Sequence, residues 1–339
     1  YILKAPIQHY VRTIRIAYEV IKSLSPDDYV VVAGFGYQSF LNAVLRNTDN
    51  PNGGTVTAEF PHRGGAYFDI MGLHSYPHFD GTTTNIGAGF YARHSDQAAE
   101  GMNYRRDFYQ EIFDRYGYDG VTYPRKRTIV TEINVPREFD GGGAYFATTV
   151  GQRNYIMKTV MNAILADVYQ IHVYGLSDDP GKPFGFDKMG LYQNLNSTSA
   201  YNQVMNPEGI AYKTTADMLY GTTYDAARTQ AMNVPPGIKG YALRNPDNTY
   251  TYMLWAATTQ DLSEAAFGTY NFPASFGYSQ VYKKEWNFSQ TGASTPIGPS
   301  GINLDATPIF ITETDDAGGG ANPPVVSLTP PSPNVSAPF

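Results

Sequence analysis

The sequence contains no cysteine, which excludes a disulfide framework and any thiolate metal site. It is also poor in charge, since Asp, Glu, Lys and Arg together make up only 16% of its 339 residues. The formal net charge is −7 and no basic cluster stands out, which argues against nucleic acid or an anionic membrane as a partner. No run is long and apolar enough to cross a bilayer. With 42% hydrophobic residues, a globular protein with a packed core is expected.

The composition favours a secreted, extracellular protein. Tyrosine is abundant, with 28 residues, and Gly, Pro and Ser dominate beyond Asp315. Three Asn-x-Ser/Thr triplets, at Asn196, Asn287 and Asn334, are candidate N-glycosylation sites. No signal peptide is visible, and the chain begins at Tyr1 without Met, which indicates a processed or truncated chain.

Helices and strands alternate over the first 220 residues. Short apolar runs predict four buried strands, at 29–33, 68–73, 128–131 and 169–174. Apolar residues at three- and four-residue spacing predict helices at 7–23, 39–45, 103–116, 150–168 and 208–220. This alternation predicts parallel βαβ units and an α/β fold. No glycine-rich phosphate loop follows any of the strands, so a nucleotide-binding Rossmann domain is disfavoured.

The pattern changes after Gly221. Runs at 240–244, 250–258, 279–286 and 308–312 read as strands between turn signals. We predict a small β-sandwich domain over 223–314, after an α/β domain over 1–222. Residues 315–339 are predicted to be a Pro/Gly-rich linker or tail.

Polar residues follow three of the predicted parallel strands. The second strand ends at His74 and Tyr76, the third at Glu132 and Asn134, and the fourth carries His172. Because the carboxyl ends of parallel strands share one rim, these groups are expected to converge on one cleft. A carboxylate at the end of a buried strand costs free energy unless it is paired or used, which makes Glu132 the leading candidate.

The loop after the first strand adds Tyr37, whose ring is expected to line the same cleft. Aromatic faces with a few carboxylates suit the stacking and hydrogen bonding of sugar rings. The alternative for each residue is a structural role, with Glu132 held by a neighbouring Arg. A metal site is not expected, because Pro77 interrupts the i, i+4 pair His74 and His78. No organic cofactor is implied.

The order of three segments resembles a known family: SPDDYVVVAGFGYQSFLNAVLRNTDNP, then GGAYFDIMGLHSYP, then RTIVTEINVPRE. Together they are similar to the second half of the barrel in retaining glycoside hydrolases with two catalytic Glu (clan A), family 39 in particular. The resemblance covers about Tyr10 to Tyr220. It implies a (β/α)8 TIM-type barrel, of which this chain holds the C-terminal half, about four βα units. It also implies that Glu132 is the nucleophile and that His74 and Tyr76 position it or the sugar.

The family's acid/base Glu lies in an Asn-Glu-Pro motif, and that motif is absent here. A retaining mechanism needs this second carboxyl, so we expect it outside this chain, in a missing N-terminal half or a neighbouring subunit. The leading hypothesis is a secreted retaining glycosidase acting on an oligo- or polysaccharide. The alternative is a non-catalytic carbohydrate-binding or structural subunit of an extracellular assembly. A third reading, an inverting hydrolase, predicts carboxyls about 6.5–9.5 Å apart.

Overall fold

The computed structural model describes residues 4–77, 85–86, 90–91, 93–138, 146–179, 185–195 and 203–315. It shows a mixed α/β fold with one parallel sheet followed by antiparallel sheets. The predicted α/β class is therefore confirmed. The complete eight-stranded barrel stays a prediction, because the parallel sheet described here has four strands. The predicted tail, 315–339, lies outside the described residues except for Asp315.

Four parallel strands form the sheet that carries the candidate site. They are β1 (Val31–Phe35), β2 (Ile70–Ser75), β5 (Arg127–Ile133) and β6 (Gln170–Val173), in the order β1-β2-β5-β6. All four lie where the apolar runs predict strands. In the described part of the chain, the outer edges of β1 and β6 have no partner strand.

All three strand pairings of this sheet contain an irregularity in register. Between β2 and β5, Leu73 pairs with Val130 and His74 pairs with Glu132, so Thr131 is an extra residue on β5. Between β1 and β2, Val32 pairs with Met71 and Phe35 with Leu73. Bulges of this kind turn the following side chain to another face of the sheet.

Five helices pack around these strands: α1 (Ile7–Leu24), α2 (Gln38–Arg46), α3 (Ser95–Arg115), α4 (Thr149–Leu165) and α5 (Pro207–Leu219). Helix α3 begins eight residues before the predicted start, at Ser95. Its N-cap is His94, whose Nδ1 accepts a hydrogen bond from Gln97 N at 3.3 Å. The first turns of α3 are buried although they are rich in polar residues, and periodicity of apolar residues therefore could not reveal them.

The antiparallel part contains a six-stranded sheet in the order β12-β11-β14-β9-β8-β7. Its strands are β7 (Thr223–Tyr224), β8 (Ile238–Arg244), β9 (Tyr250–Ala256), β11 (Val281–Lys284), β12 (Ser294–Ile297) and β14 (Ile309–Thr312). A second sheet pairs β10 (Phe267–Tyr270) with β13 (Ile302–Asp305) and shares a buried core with the first. Helices α6 (Ala226–Ala231) and α7 (Phe288–Thr291) are short, and the hairpin of β3 (Asn85–Ile86) and β4 (Phe90–Tyr91) precedes α3.

The antiparallel sheet and the helices of the parallel sheet share a single core. Met253, Trp255 and Phe310 belong to the same buried cluster as the parallel strands and helices α2 to α5. A buried ion pair joins α4 to α3, with Lys158 Nζ 2.7 Å from Asp96 Oδ2. Asp96 also accepts a hydrogen bond from Trp255 Nε1 at 2.7 Å. The two parts of the chain are thus joined through apolar contacts and through a hydrogen bond from Trp255 to the ion-paired carboxylate of Asp96. Of the helices described, none has the length and apolar character needed to span a membrane.

Candidate active site

The candidate site lies at the carboxyl ends of β2 and β5. The bulge at Thr131 sets the register so that Glu132 lies directly beside His74. Thr131 itself is held by its Oγ1, which donates to Leu73 O at 3.1 Å. Glu132 keeps 36% of its side chain exposed and His74 keeps 34%, so both groups are open to solvent at this rim.

Tyr76 and His74 both approach the same carboxylate oxygen of Glu132. Tyr76 Oη donates a hydrogen bond to Glu132 Oε2 at 2.6 Å, and His74 Nδ1 lies 3.3 Å from the same oxygen. Burial raises the pKa of Tyr76 above its ordinary value, and the hydrogen bond to Glu132 raises it further. The phenol therefore stays protonated and remains a donor. Among the described residues nothing hydrogen-bonds to Oε1, which leaves that oxygen open towards the cleft.

An aromatic wall stands beside the carboxylate. The ring of Tyr76 makes edge contacts with Tyr174, at 5.8 Å between centroids, and with Phe186, at 4.9 Å. Tyr174 and Phe186 are in contact as well, at 5.7 Å, and both are exposed. Exposed rings next to a carboxylate match the apolar C–H face and the polar hydroxyls of a sugar.

A glycine on β1 makes room for His74. A Cβ atom added to Gly34 would lie 2.3 Å from both Cδ2 and Nε2 of the His74 ring. That is closer than real Cβ atoms approach any ring atom, so His74 depends on the missing side chain. Gly34 is a part of the site that our reading of the sequence missed, because only the bulged pairing of β1 with β2 brings the two residues together.

The loops behind the rim are held by a buried polar network. Asn134 donates from Nδ2 to Met189 O at 2.9 Å and to Tyr174 O, and accepts from Val135 N. Arg137 forms a two-pronged ion pair with Asp178, which in turn accepts from Asn206 Nδ2 at 3.1 Å. These contacts tie the loop after β5 to the loop after β6, so the base of the aromatic wall is fixed relative to Glu132.

A buried carboxyl lies close to this network. Glu208, at the start of α5, is fully buried, and burial raises its pKa well above the usual value. Both of its oxygens lack a hydrogen-bond partner among the described residues. The raised pKa favours the neutral form of Glu208, against the smaller opposing effects of Asn134 and Arg137.

The structure brings together three of the predicted site residues, namely His74, Tyr76 and Glu132. Asn134 is fully buried and contacts main chain, so in this structure it supports the loops rather than facing the cleft. Tyr37 is 76% exposed at the N-cap of α2, and His172 is exposed on the outer strand β6. In the described structure neither is in contact with Glu132.

The candidate glycosylation sites are distributed unevenly. Asn287 is part-buried at the N-cap of the four-residue helix α7. Asn196 and Asn334 lie outside the described residues.

The candidate metal ligand His78 also lies outside the described residues. Within the described ranges, no group of three His, Asp or Glu residues is arranged to hold a metal ion.

Sequence reasoning also missed Phe186 in the aromatic wall. It lies in a short 3-10 turn, Gly185–Lys188, between segments with no strand or helix periodicity. The available signal was an aromatic residue in a Gly- and Pro-containing loop that follows a strand, and Phe186 keeps 44% of its surface exposed.

Comparison with known proteins relates the fold to glycoside hydrolases. No family model and no curated protein matches the sequence. A family 39 glycoside hydrolase from Bacteroides cellulosilyticus WH2 is similar in structure, with a TM-score of 0.55, 15% identity, and coverage of 90% of this chain and 55% of that chain. An alpha-L-arabinofuranosidase from Thermotoga maritima has a TM-score of 0.54 and 11% identity, with coverage of 91% and 62%. A family 51 arabinofuranosidase from Xanthomonas axonopodis pv. citri has a TM-score of 0.52 and 10% identity, with coverage of 91% and 63%.

The predicted resemblance to glycoside hydrolases is thereby confirmed at the level of the fold. The chain spans 55–63% of the length of these three structures. At a sequence identity of 10–15%, the structural similarity establishes a shared fold only. Any catalytic activity must be argued from the residues of the site.

Proposed function

We propose that this chain carries the nucleophile half of a retaining glycoside hydrolase active site, with Glu132 as the nucleophile. The observation that supports this most directly is the geometry at Glu132, where Tyr76 and His74 both approach Oε2 and leave Oε1 open. The fold shared with a family 39 hydrolase gives independent support.

In the proposed reaction, Glu132 Oε1 attacks the anomeric carbon of a bound sugar. The bond between that carbon and the leaving-group oxygen breaks, and the leaving group takes a proton from a general acid. A water molecule, deprotonated by the same group, then attacks the anomeric carbon and releases Glu132, so that the configuration is retained. The carboxylate must be ionised to attack the anomeric carbon.

Tyr76 and His74 act as positioning residues in this scheme. The hydrogen bond from Tyr76 fixes one rotamer of Glu132, and the aromatic wall fixes Tyr76 in turn. Such a bond to the nucleophile also weakens when Glu132 loses its charge in the covalent intermediate, which favours its return as a leaving group.

The general acid is proposed to come from outside this chain. The retaining reaction needs a second carboxyl about 5–5.5 Å from the first. The unpaired outer edges of β1 and β6 in the described sheet, and the greater length of the similar structures, support a further half of the barrel. We propose that this half closes the sheet and supplies the acid, either from the same polypeptide or from a neighbouring subunit.

A secreted, extracellular location stays part of this proposal. It rests on the low charge, the abundant tyrosine and the candidate glycosylation sites. A polysaccharide substrate is consistent with that location.

The test uses the full-length protein and Glu132→Gln. Aryl glycosides of xylose and of arabinofuranose are suitable substrates, the second because two of the similar structures are arabinofuranosidases. We expect Glu132→Gln to lower kcat by at least about a thousandfold, because the amide is not a nucleophile. A 2-fluoro sugar with a good leaving group should label Glu132, which peptide mass spectrometry identifies.

Glu138→Gln is the matched control, since Glu138 lies in the loop after β5 and keeps 58% of its side chain exposed. It should leave kcat within about twofold of the unmodified protein. A rate that survives Glu132→Gln, or a label on another carboxylate, would exclude Glu132 as the nucleophile.

The alternative function is a carbohydrate-binding subunit without catalysis. The aromatic wall favours it to the same degree, because exposed rings bind sugars without any chemistry. Saccharide binding by the full-length protein, with no turnover and no labelling, would support this alternative over the hydrolase.

A further inference from the structure

A second concave site lies at the opposite end of the parallel sheet. It is a cavity of about 600 Å³ lined where the strands begin, at Tyr29 before β1, Ile70 on β2 and Arg127 on β5. Glu132 lies five residues further along β5, which corresponds to about 16 Å at 3.3 Å per residue. The cavity therefore shares no residue with the candidate active site.

Tyrosine rings form much of its lining. They are Tyr18 from α1, Tyr29, and three residues of the segment between α3 and β5, Tyr116, Tyr118 and Tyr123. Tyr118 and Tyr123 are in contact at 5.2 Å between centroids, with their planes tilted by 36°. Tyr29 and Tyr123 are more than half exposed. Tyr29 packs against Arg127 and Tyr169, and Tyr123 against Tyr118, so each ring offers only its remaining exposed surface to a ring from solution.

The same lining is strongly basic in a chain whose net charge is −7. Its basic members are His62, Arg63, Arg125, Lys126 and Arg127. Arg63 and Arg127 have no carboxylate partner among the described residues, and Arg125 has only a long contact of 3.9 Å to Asp114. These cations are placed to meet an anion from solution.

The one carboxylate in the lining is already occupied. Asp69 lies 3.0 Å from Lys22 Nζ and accepts a hydrogen bond from Val30 N at 2.8 Å. Its charge is therefore shared between Lys22, which lies outside the cavity, and Lys126, so it offsets the basic group only in part.

Lys126, one of the basic residues of the lining, has its ammonium group between two aromatic rings. Its Nζ lies 4.9 Å from the ring centre of Phe68 and 4.7 Å from that of Tyr118, and it donates to Phe68 O. Burial lowers the pKa of Lys126 to about 8, which shows that the ammonium group is poorly solvated. Among the described residues, Asp69 interacts electrostatically with this ammonium group but forms no ion pair with it, so an incoming anion would supply a closer counter-charge.

We propose that this cavity binds an acidic saccharide, with a uronate ring against the tyrosine faces and its carboxylate among Arg63, Arg125 and Lys126. Aromatic faces and unpaired cations in one cavity match the two halves of a uronate, its apolar ring face and its charged group. A volume of about 600 Å³ is in the range of small-ligand sites and exceeds the need of a bare inorganic anion. The site would hold an acidic polysaccharide on the protein away from the catalytic rim.

The test is a titration of the full-length protein carrying Glu132→Gln, so that hydrolysis does not interfere. Trigalacturonate is the probe, xylotriose is the neutral comparison, and binding is measured by calorimetry at pH 7. Arg63→Ala and Tyr123→Ala should each weaken trigalacturonate binding about tenfold or more, since each removes a charged or stacking contact. Both side chains are exposed, so both variants should keep the fold, which circular dichroism verifies.

Two exposed residues outside the cavity serve as matched controls, Arg12→Ala on α1 and Tyr104→Ala on α3. They should bind trigalacturonate within about twofold of the parent. Four results would each overturn the proposal. The first two concern affinity for the probe: no binding of trigalacturonate at 10 mM (roughly −3 kcal/mol of binding free energy), or unchanged affinity in Arg63→Ala and Tyr123→Ala. The other two concern specificity: an equal loss of xylotriose binding in the two variants, or inorganic phosphate binding as tightly as trigalacturonate. None of these results depends on whether Glu132 is a nucleophile.

Discussion

Replacing Lys158 by Met should destabilise the protein by about 3 kcal/mol. Lys158 keeps only 1% of its side chain exposed, and its Nζ lies 2.7 Å from both Asp96 Oδ2 and Ser95 Oγ. Met retains the apolar stem, so the change isolates the loss of the ammonium group. The uncompensated Asp96 would still accept hydrogen bonds from Trp255 Nε1 at 2.7 Å and Thr258 N at 3.0 Å, which places the cost at the low end of the usual range of about 3–5 kcal/mol. Urea unfolding at pH 7, followed by fluorescence and circular dichroism, measures the free energy.

The exposed pair Lys213 and Asp217 provides the control, because their side chains are 49% and 29% exposed. Lys213→Met should cost no more than about 0.5 kcal/mol. The double variant of Lys158→Met and Asp96→Asn should recover about 2 kcal/mol relative to the sum of the single changes, since no charge is then left buried alone. A loss below about 1 kcal/mol in Lys158→Met, or strict additivity in the double variant, would refute a stabilising buried ion pair.

Three further changes test the site and the fold. Tyr76→Phe should lower kcat/KM on the aryl glycosides by about 10- to 100-fold, because the hydrogen bond to Glu132 is charge-assisted. Gly34→Ala should lower kcat with little loss of stability, because the new Cβ displaces the His74 ring at the open rim. His94→Asn should remove a loss of stability on acidification: burial lowers the pKa of His94 to about 4, so between pH 6.5 and 4 only the unfolded chain takes up that proton. Over that interval the parent should lose roughly 3 kcal/mol more than the variant, as measured by urea unfolding at each pH.

The first two of these changes have matched controls. Tyr174→Phe removes a hydroxyl from the same aromatic wall that makes no hydrogen bond among the described residues, and it should change kcat/KM by less than about twofold. Gly36→Ala adds a Cβ that meets nothing within 4 Å and should leave kcat unchanged. Equal losses in Tyr76→Phe and Tyr174→Phe, or in Gly34→Ala and Gly36→Ala, would contradict the proposed positioning of Glu132 and His74. A pH dependence identical in His94→Asn and the parent would contradict a buried, neutral His94.

The four parallel strands could be predicted because each is a short segment rich in apolar and β-branched or aromatic residues, a signal that needs no knowledge of the neighbours. The convergence of His74, Tyr76 and Glu132 could be predicted too, because it depends only on strand ends sharing a rim. The bulge at Thr131 could not, since an extra residue in a pairing leaves no trace in the composition of either strand.

The role of Asn134 illustrates a different limit. A polar residue two positions after a carboxylate at a strand end is equally compatible with facing a cleft and with holding a loop. Burial decides between the two, and burial depends on the loop around Met189, which contacts Asn134 only in the folded protein.

The sequence analysis missed strands β10 and β13. Each has only four residues and mixes small, polar and apolar side chains, so the signal for a strand is short and weak.

The shared core also bears on how such proteins diversify. Domains that are joined by a flexible linker and have their own core can fold alone. Here Trp255 and Phe310 complete the apolar core of the parallel-sheet helices, and Asp96 reaches across to bind both Lys158 and Trp255. A recombination event that replaced the segment after residue 222 would leave Lys158 and Asp96 facing foreign surfaces. We therefore expect the parallel-sheet part and the C-terminal sheets to be inherited together. New specificity is expected to arise by changes in the rim loops rather than by exchange of the C-terminal sheets.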